Sequence, residues 1–174
     1  MENVVLIGLS GTGKSSVGRL LARKLRWRFI DTDSEIERQE KRRISQIFQD
    51  QGEEYFRELE RRVVREICAQ RHYVVSTGGG AVLDPENRSA MRAGNLVIWL
   101  RATPETLLDR LKWSVHTRPL LKAPDPLGRI RAMAAERHQD YSQASHVSVH
   151  TDGKSHEAAA DLLWNQVQAW KKPS

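Results

Sequence analysis

Residues 8–16 read Gly8-Leu9-Ser10-Gly11-Thr12-Gly13-Lys14-Ser15-Ser16, directly after the apolar run Val4-Val5-Leu6-Ile7. Glycine loses more backbone freedom on folding than any other residue, so three in nine positions need a reason. From Gly8 to Ser15 the stretch satisfies G-x-x-x-x-G-K-[ST], with a strand pattern before it and a helical pattern after it. Such glycines let successive backbone N–H groups turn inward around phosphate oxygens. The positive end of the following helix adds to that field. Lys14 is placed to reach the outer phosphates, and the Ser15 hydroxyl to ligate Mg²⁺. Gly11, Thr12, Gly13, Lys14, Ser15 and Ser16 are therefore the candidate nucleotide-binding residues. The loop predicts a nucleoside triphosphate and leaves the acceptor open.

Outward from the loop, short apolar runs alternate with helical patterns. Strands are expected at residues 4–8, 28–31, 72–76, 95–100 and 146–150. Helices are expected at 15–26, across 34–70 with a break near Gln51-Gly52, at 126–144 and at 155–170. Thr103 reads as an N-cap, with Pro104 at the first helical position and Glu105 in the first turn. This alternation predicts a parallel sheet covered on both faces. Residues 112–125, with Pro119 and Pro124, fit neither period and read as a lid or as a plain surface loop.

The chain has 174 residues, enough for one domain. Hydrophobic residues make up 39% and charged residues 29%, which excludes a disordered chain, and no apolar run approaches a membrane span. No basic n-region precedes the first strand, so no signal peptide is expected. The single cysteine, Cys68, fits helix packing and a cytoplasmic protein. The net charge of +6 favours anionic partners, but the basic residues are dispersed and do not interleave with aromatics. Nucleic acid is therefore not expected as a partner, nor is a membrane. The run Glu40-Lys41-Arg42-Arg43 reads as a solvated helix face, and Trp27, Trp99 and Trp164 read as core. A monomer is expected, since no apolar stripe is left over for a partner.

Four stretches address the acceptor. Asp31-Thr32-Asp33 ends the second strand, where i and i+2 share a face and the carboxyl ends of parallel strands meet ligand. One carboxylate then serves the metal and the other an acceptor hydroxyl; alternatively, Asp33-Ser34 only caps the next helix. Arg57 and Glu60 share a helix face, as an exposed salt bridge or as a braced carboxylate clamp. Gly78-Gly79-Gly80 after the third strand reads as backbone donors close to a ligand, or as a flexible turn. Arg118-Pro119-Leu120-Leu121 lies in the aperiodic segment.

Taken in order, the phosphate loop, Asp31-Thr32-Asp33, Phe56-Arg57-Glu58-Leu59-Glu60, Gly78-Gly79-Gly80, Arg118-Pro119-Leu120-Leu121 and Arg137 followed by Tyr141 resemble the shikimate kinase family over nearly the whole chain. The resemblance implies a three-layer α/β/α P-loop fold with a central five-stranded parallel sheet, a lid at about 112–125 and a small helical substrate-binding subdomain at 34–62. These would form a single kinase domain over 1–174. It implies that ATP with Mg²⁺ phosphorylates shikimate, giving 3-phosphoshikimate and ADP on the way to chorismate and the aromatic amino acids. By resemblance, Asp33 is the candidate base, Lys14 and Arg118 are catalytic, and Ser15 and Asp31 serve the metal. Asp33, Arg57, Glu60, Gly78, Gly79, Gly80 and Arg137 bind shikimate, with Arg57 and Arg137 on its carboxylate. Arg118 also meets the nucleotide.

The adenine side departs from the family pattern. Residues 112–117 form a short, tryptophan-containing stretch, which leaves Arg110 or Lys112 to face adenine. Gly153-Lys154-Ser155-His156 stands where relatives carry basic residues and a proline, and Lys154 is taken for the adenine edge. Gln139 replaces a common proline. Rival readings are a kinase for another hydroxylated acid such as gluconate, an ATP-binding protein without catalysis, and a nucleic-acid-binding P-loop protein. The acceptor motifs argue against the first, and intact Lys14, Ser15, Asp33, Arg57 and Arg118 against the second.

Overall fold

The residues of β1 (Val4–Ile7) are wholly buried, as expected of a strand covered on both faces. The structure is a computed structural model and describes residues 1–112 and 124–171. After β1 come α1 (Lys14–Leu25), β2 (Arg28–Asp31), α2 (Thr32–Glu40), α3 (Ile44–Cys68) and β3 (Tyr73–Ser76). A short 3₁₀ turn (Ala81–Leu83) leads to α4 (Pro85–Arg92), β4 (Leu96–Arg101) and α5 (Pro104–Leu111). Then follow α6 (Pro126–Glu136), α7 (His138–Ala144), β5 (Val147–His150) and α8 (His156–Lys171). Among the described residues, the strands form one sheet in the order β2-β3-β1-β4-β5, with every pairing parallel.

Side-chain alternation splits the core into two layers. Val5, Ile7, Val75 and Val97 face α2, α3, α4 and α7. Val4, Leu6, Val74 and Ile98 face α1 and α8 on the other side. This is the expected three-layer α/β/α arrangement, and strand bounds agree with the sequence reading to within a residue. A third, small cluster joins α5 to α6 through Leu107, Leu111 and Ile130.

Several expectations need correcting. The stretch 34–70 breaks not only at Gly52 (φ 82°, ψ 178°) but also between α2 and α3, where Lys41 is left-handed (φ 53°). The run at 40–43 is thus largely a connection rather than a helix face. It is pinned by ion pairs from Arg42 to Glu40 (3.2 Å) and Asp50 (3.7 Å). The helix expected at 126–144 is two helices that meet at Arg137 (φ −95°, ψ 0°). No proline or glycine marks that break. What fixes it is tertiary, because the chain turns where Arg137 and Tyr141 both reach the Gly79 carbonyl. Helix α4 was not expected. Its signal is Asp84-Pro85, where the Asp84 carboxylate accepts from Glu86 N (2.8 Å) ahead of proline at the first position. Thr103-Pro104 starts α5 in the expected way. Trp27, Trp99 and Trp164 are half-buried and pack at the margins of the two main layers, because an indole is too large to be wholly enclosed there. Cys68 is buried in α3, and burial pushes its thiol up to about 12, so it is a packing residue. Among the described residues no helix is long and apolar enough to cross a membrane. Arg118 and nearly all of residues 112–125 lie outside the described residues.

Candidate active site

The carboxyl ends of β1, β2 and β3 open on a cavity of about 750 Å³. The phosphate loop lines it with Ser10, Gly11, Gly13, Lys14, Ser15 and Ser16. Asp31 and Asp33 line a second wall, and Ser76 to Gly79 a third. Gly8 could carry no side chain here. Its φ is 143°, and a Cβ would collide with the Leu100 carbonyl oxygen. The loop is braced from within, since the Thr12 hydroxyl donates to Leu9 O at 2.8 Å and Thr151 Oγ1 donates to Thr12 O at 3.2 Å. Thr12 is buried and does not line the cavity. Lys14 Nζ donates to Gly8 O (2.7 Å) and Leu9 O (3.0 Å), which holds the ammonium inside the curve of the loop. Lys14 is the first residue of α1, so charge and helix terminus act at one place.

The two aspartates are sharply different. Asp31 is the N-cap of α2, its Oδ1 accepting from Ser34 N at 3.3 Å. Its Oδ2 accepts from the Ser15 hydroxyl at 2.8 Å. A hydroxyl and a carboxylate in contact at the cavity wall are hard oxygen donors. Being only two, they suit Mg²⁺, which keeps waters and phosphate oxygens as its other ligands. Asp33 does not cap. Its Oδ1 is buried with no hydrogen-bond partner among the described residues. Burial first, and then the Asp31 and Glu60 charges, push its carboxyl up to about 6 against the pull of Lys14. A carboxylate left unsatisfied in a cleft, with a raised pKa, is the signature of a group held ready for a proton.

Arg57, Glu60, Gly80 and Arg137 do not line the 750 Å³ cavity; they stand around its triple-glycine wall. Glu60 is 1% exposed and accepts from Arg57 Nη1 at 2.7 Å, so the pair is not an exposed salt bridge. Burial raises the Glu60 carboxyl above its ordinary value, while Arg57 works against that shift. Arg57 Nη2 also meets Glu53 at 3.0 Å. A Cβ on Gly78 would stand 2.6 Å from Asp33 Oδ1 and 3.0 Å from Glu60 Oε1. One on Gly80 would stand 2.9 Å from Arg57 Nη1. The glycines are therefore where Asp33, Glu60 and Arg57 close on the backbone. Arg137 Nη1 (3.1 Å) and the Tyr141 hydroxyl (2.6 Å) both donate to Gly79 O. Two guanidiniums thus converge on one turn, an arrangement that suits an anionic acceptor.

On the far side, Asp109, Arg110 and His156 complete the cavity. The Arg110 fork is occupied with backbone, donating to Thr151 O (2.7 Å) and Gly11 O (3.2 Å). Lys112 pairs with Asp109 at 2.6 Å. Lys154 does not line the cavity, whereas His156, two residues on, does. Asp109 and His156 were not expected, and no local pattern marks them.

A model of the shikimate kinase family matches residues 10–168. A shikimate kinase of Symbiobacterium thermophilum is 52% identical over 154 residues, covering 88% of each chain. One of Geobacter metallireducens is 47% identical over 155 residues, covering 89% of this chain and 86% of that one. Among solved structures, a shikimate kinase from Acinetobacter baumannii in complex with shikimate superposes with a TM-score of 0.93 at 31% identity, covering 99% and 96% of the two chains.

Proposed function

The chain belongs to the shikimate kinase family, and from that premise we propose how its residues divide the transfer of the ATP γ-phosphoryl to the 3-hydroxyl of shikimate. The products are 3-phosphoshikimate and ADP, a step of aromatic amino acid biosynthesis. The observation that carries the assignment is Asp33, a half-buried carboxylate whose Oδ1 is enclosed without a hydrogen-bond partner among the described residues, between the phosphate loop and the arginine-lined turn. Asp33 orients the acceptor hydroxyl and takes its proton. At neutral pH it is mostly ionised, and its pKa lies near enough to the working pH for efficient transfer.

Arg57, braced by Glu60, and Arg137, braced at Gly79, grip the shikimate carboxylate and fix the ring. Gly78 to Gly80 let the acceptor approach the backbone. The phosphate loop cradles the triphosphate, Lys14 offsets charge on the transferring phosphoryl, and Ser15 and Asp31 would hold Mg²⁺. The metal, when bound, neutralises charge on the β- and γ-phosphates. Arg118 takes the transferring phosphoryl, an assignment that rests on the family resemblance alone. Catalysis here is mainly positioning and electrostatics. Residues 34–62 form the acceptor-binding part of a single kinase domain, since Arg57 and Glu60 stand on α3. We also infer a cytoplasmic monomer; among the described residues the exposed large hydrophobics are few and scattered over α3, the 3₁₀ turn and α8, which supports the monomer.

The test is ADP release with Mg-ATP and shikimate, gluconate or no acceptor. Release dependent on shikimate alone is expected. Equal turnover without an acceptor, or with gluconate, would overturn the acceptor assignment. Light scattering coupled to size exclusion checks the monomer.

A further inference from the structure

A second cavity, of about 260 Å³, lies behind the phosphate loop and shares no lining residue with the first. Its walls include Leu100, Leu107 and Tyr141, all buried, and the half-buried Trp99. The Trp99 and Tyr141 rings are stacked, 5.3 Å between centroids and 16° between planes. The Arg101 guanidinium lies 4.5 Å over the Trp99 ring and also lines the cavity. It makes no hydrogen bond or ion pair among the described residues. The His138 ring, which also lines the cavity, packs T-shaped on the same indole, 5.2 Å between centroids and 73° between planes, so three aromatic rings stand in the wall. A wall of aromatic and aliphatic side chains suits an incoming aromatic ring, stacked or edge-on. An apolar cavity of about 150 Å³ accepts one benzene, so this one has room for a ring and a short acid arm. The unpaired guanidinium at the wall supplies the partner for a carboxylate.

The lining is wired to the active site twice. Tyr141 presents its ring here and its hydroxyl to Gly79 O, the oxygen that also holds Arg137. Leu9 and Thr12 line the cavity, and the Leu9 carbonyl holds the Lys14 ammonium. We propose that this cavity binds a small aromatic carboxylate and that its occupation tightens acceptor binding through Tyr141. An occupant packs against Tyr141 in the position that fixes Gly79 and Arg137, so it favours the arrangement the acceptor needs. By linkage, the acceptor tightens the occupant by the same factor. The coupling rests on the assignment of Arg137 to the acceptor carboxylate; the binding does not.

The probe is phenylacetate, followed by saturation-transfer NMR on the full chain with saturating shikimate and Mg-ADP. These ligands displace an aryl carboxylate from the acceptor site itself. Retained binding is expected, with a dissociation constant on the order of 1 mM. It should weaken about tenfold in Arg101→Ser and in Ala134→Phe, the second of which fills the cavity from α6. In kinetics, saturating phenylacetate should lower the shikimate KM about threefold in the wild type. It should leave the KM unchanged in Tyr141→Phe, which still binds the probe. Absence of binding up to about 10 mM, displacement by shikimate, or undiminished binding in both cavity variants overturns the site. Binding with an unchanged or raised KM overturns the coupling. The NMR result stands even if shikimate is not turned over, so failure of the functional assignment is separately visible.

Discussion

Replacing Asp33 by Asn should make the protein more stable and nearly inactive, by amounts the structure sets. The carboxyl rises from 3.8 to about 6 on folding, a difference worth about 3 kcal/mol of disfavoured ionisation above pH 7. That net value already includes the attraction of Lys14. The folded state holds the proton more tightly than the unfolded state. Between about pH 4 and pH 6 the native protein therefore binds more protons, and this group's contribution to stability falls as pH rises. Above that window the whole cost is present; below it none is. An Asn amide carries no charge but leaves a polar group poorly satisfied, at about 1 kcal/mol. Asp33→Asn should then gain about 2 kcal/mol at pH 8, or about 4–8 °C in Tm for a chain of this size. The gain should shrink to near zero by about pH 4.5. kcat should fall about a hundredfold through loss of the proton acceptor. The wild-type kcat/KM should itself decline as pH drops through about 6. Urea unfolding and thermal scans at pH 8 and 4.5, with ADP-release kinetics, measure all of this. A variant equally or less stable than wild type at both pH values would refute the claim that Asp33 is held ionised at a cost.

Three further outcomes follow from the same geometry. Gly78→Ala drives a methyl against Asp33 Oδ1 and Glu60 Oε1, and kcat/KM should fall about a hundredfold or more while nucleotide binding, followed by calorimetry, persists. Glu60→Gln keeps the shape but removes the buried charge behind Arg57; the KM for shikimate should rise about tenfold with the KM for ATP unchanged, and a change in ATP alone would contradict the brace. Arg118→Ala should lower kcat more than it raises either KM, whereas a KM effect with kcat intact would remove Arg118 from the transferring phosphoryl.

Features set by local signals are legible in the sequence. The phosphate loop needs glycine at fixed offsets because its φ angles are positive at Gly8, Gly11 and Gly13, and that requirement is written into consecutive residues. The inner strands β1, β3 and β4 are legible because a strand buried on both faces must be a largely continuous apolar run; the edge strands β2 and β5 carry polar residues and are only partly buried. Thr103-Pro104 at the start of α5 and Asp84-Pro85 at the start of α4 carry the same local signal, a capping side chain followed by proline at the first helical position. The break at Arg137 had no local mark, since a side chain 58 residues away in sequence from Gly79 decides it.

Sequence alone thus determined the nucleotide loop, the alternation of strands and helices and the set of acceptor motifs, because each depends on backbone sterics or on neighbours a few residues apart. Tertiary structure decided which member of each pair does what. Asp31 and Asp33 are two residues apart, yet one is a hydrogen-bonded helix cap beside Ser15 and the other keeps a buried Oδ1 with no hydrogen-bond partner among the described residues. Arg57 and Glu60 would be an ordinary surface pair on an isolated helix; packing against the triple-glycine turn buries Glu60 and makes the pair a brace. Burial and charge environment are sums over residues distant in the chain, and no window of sequence contains them.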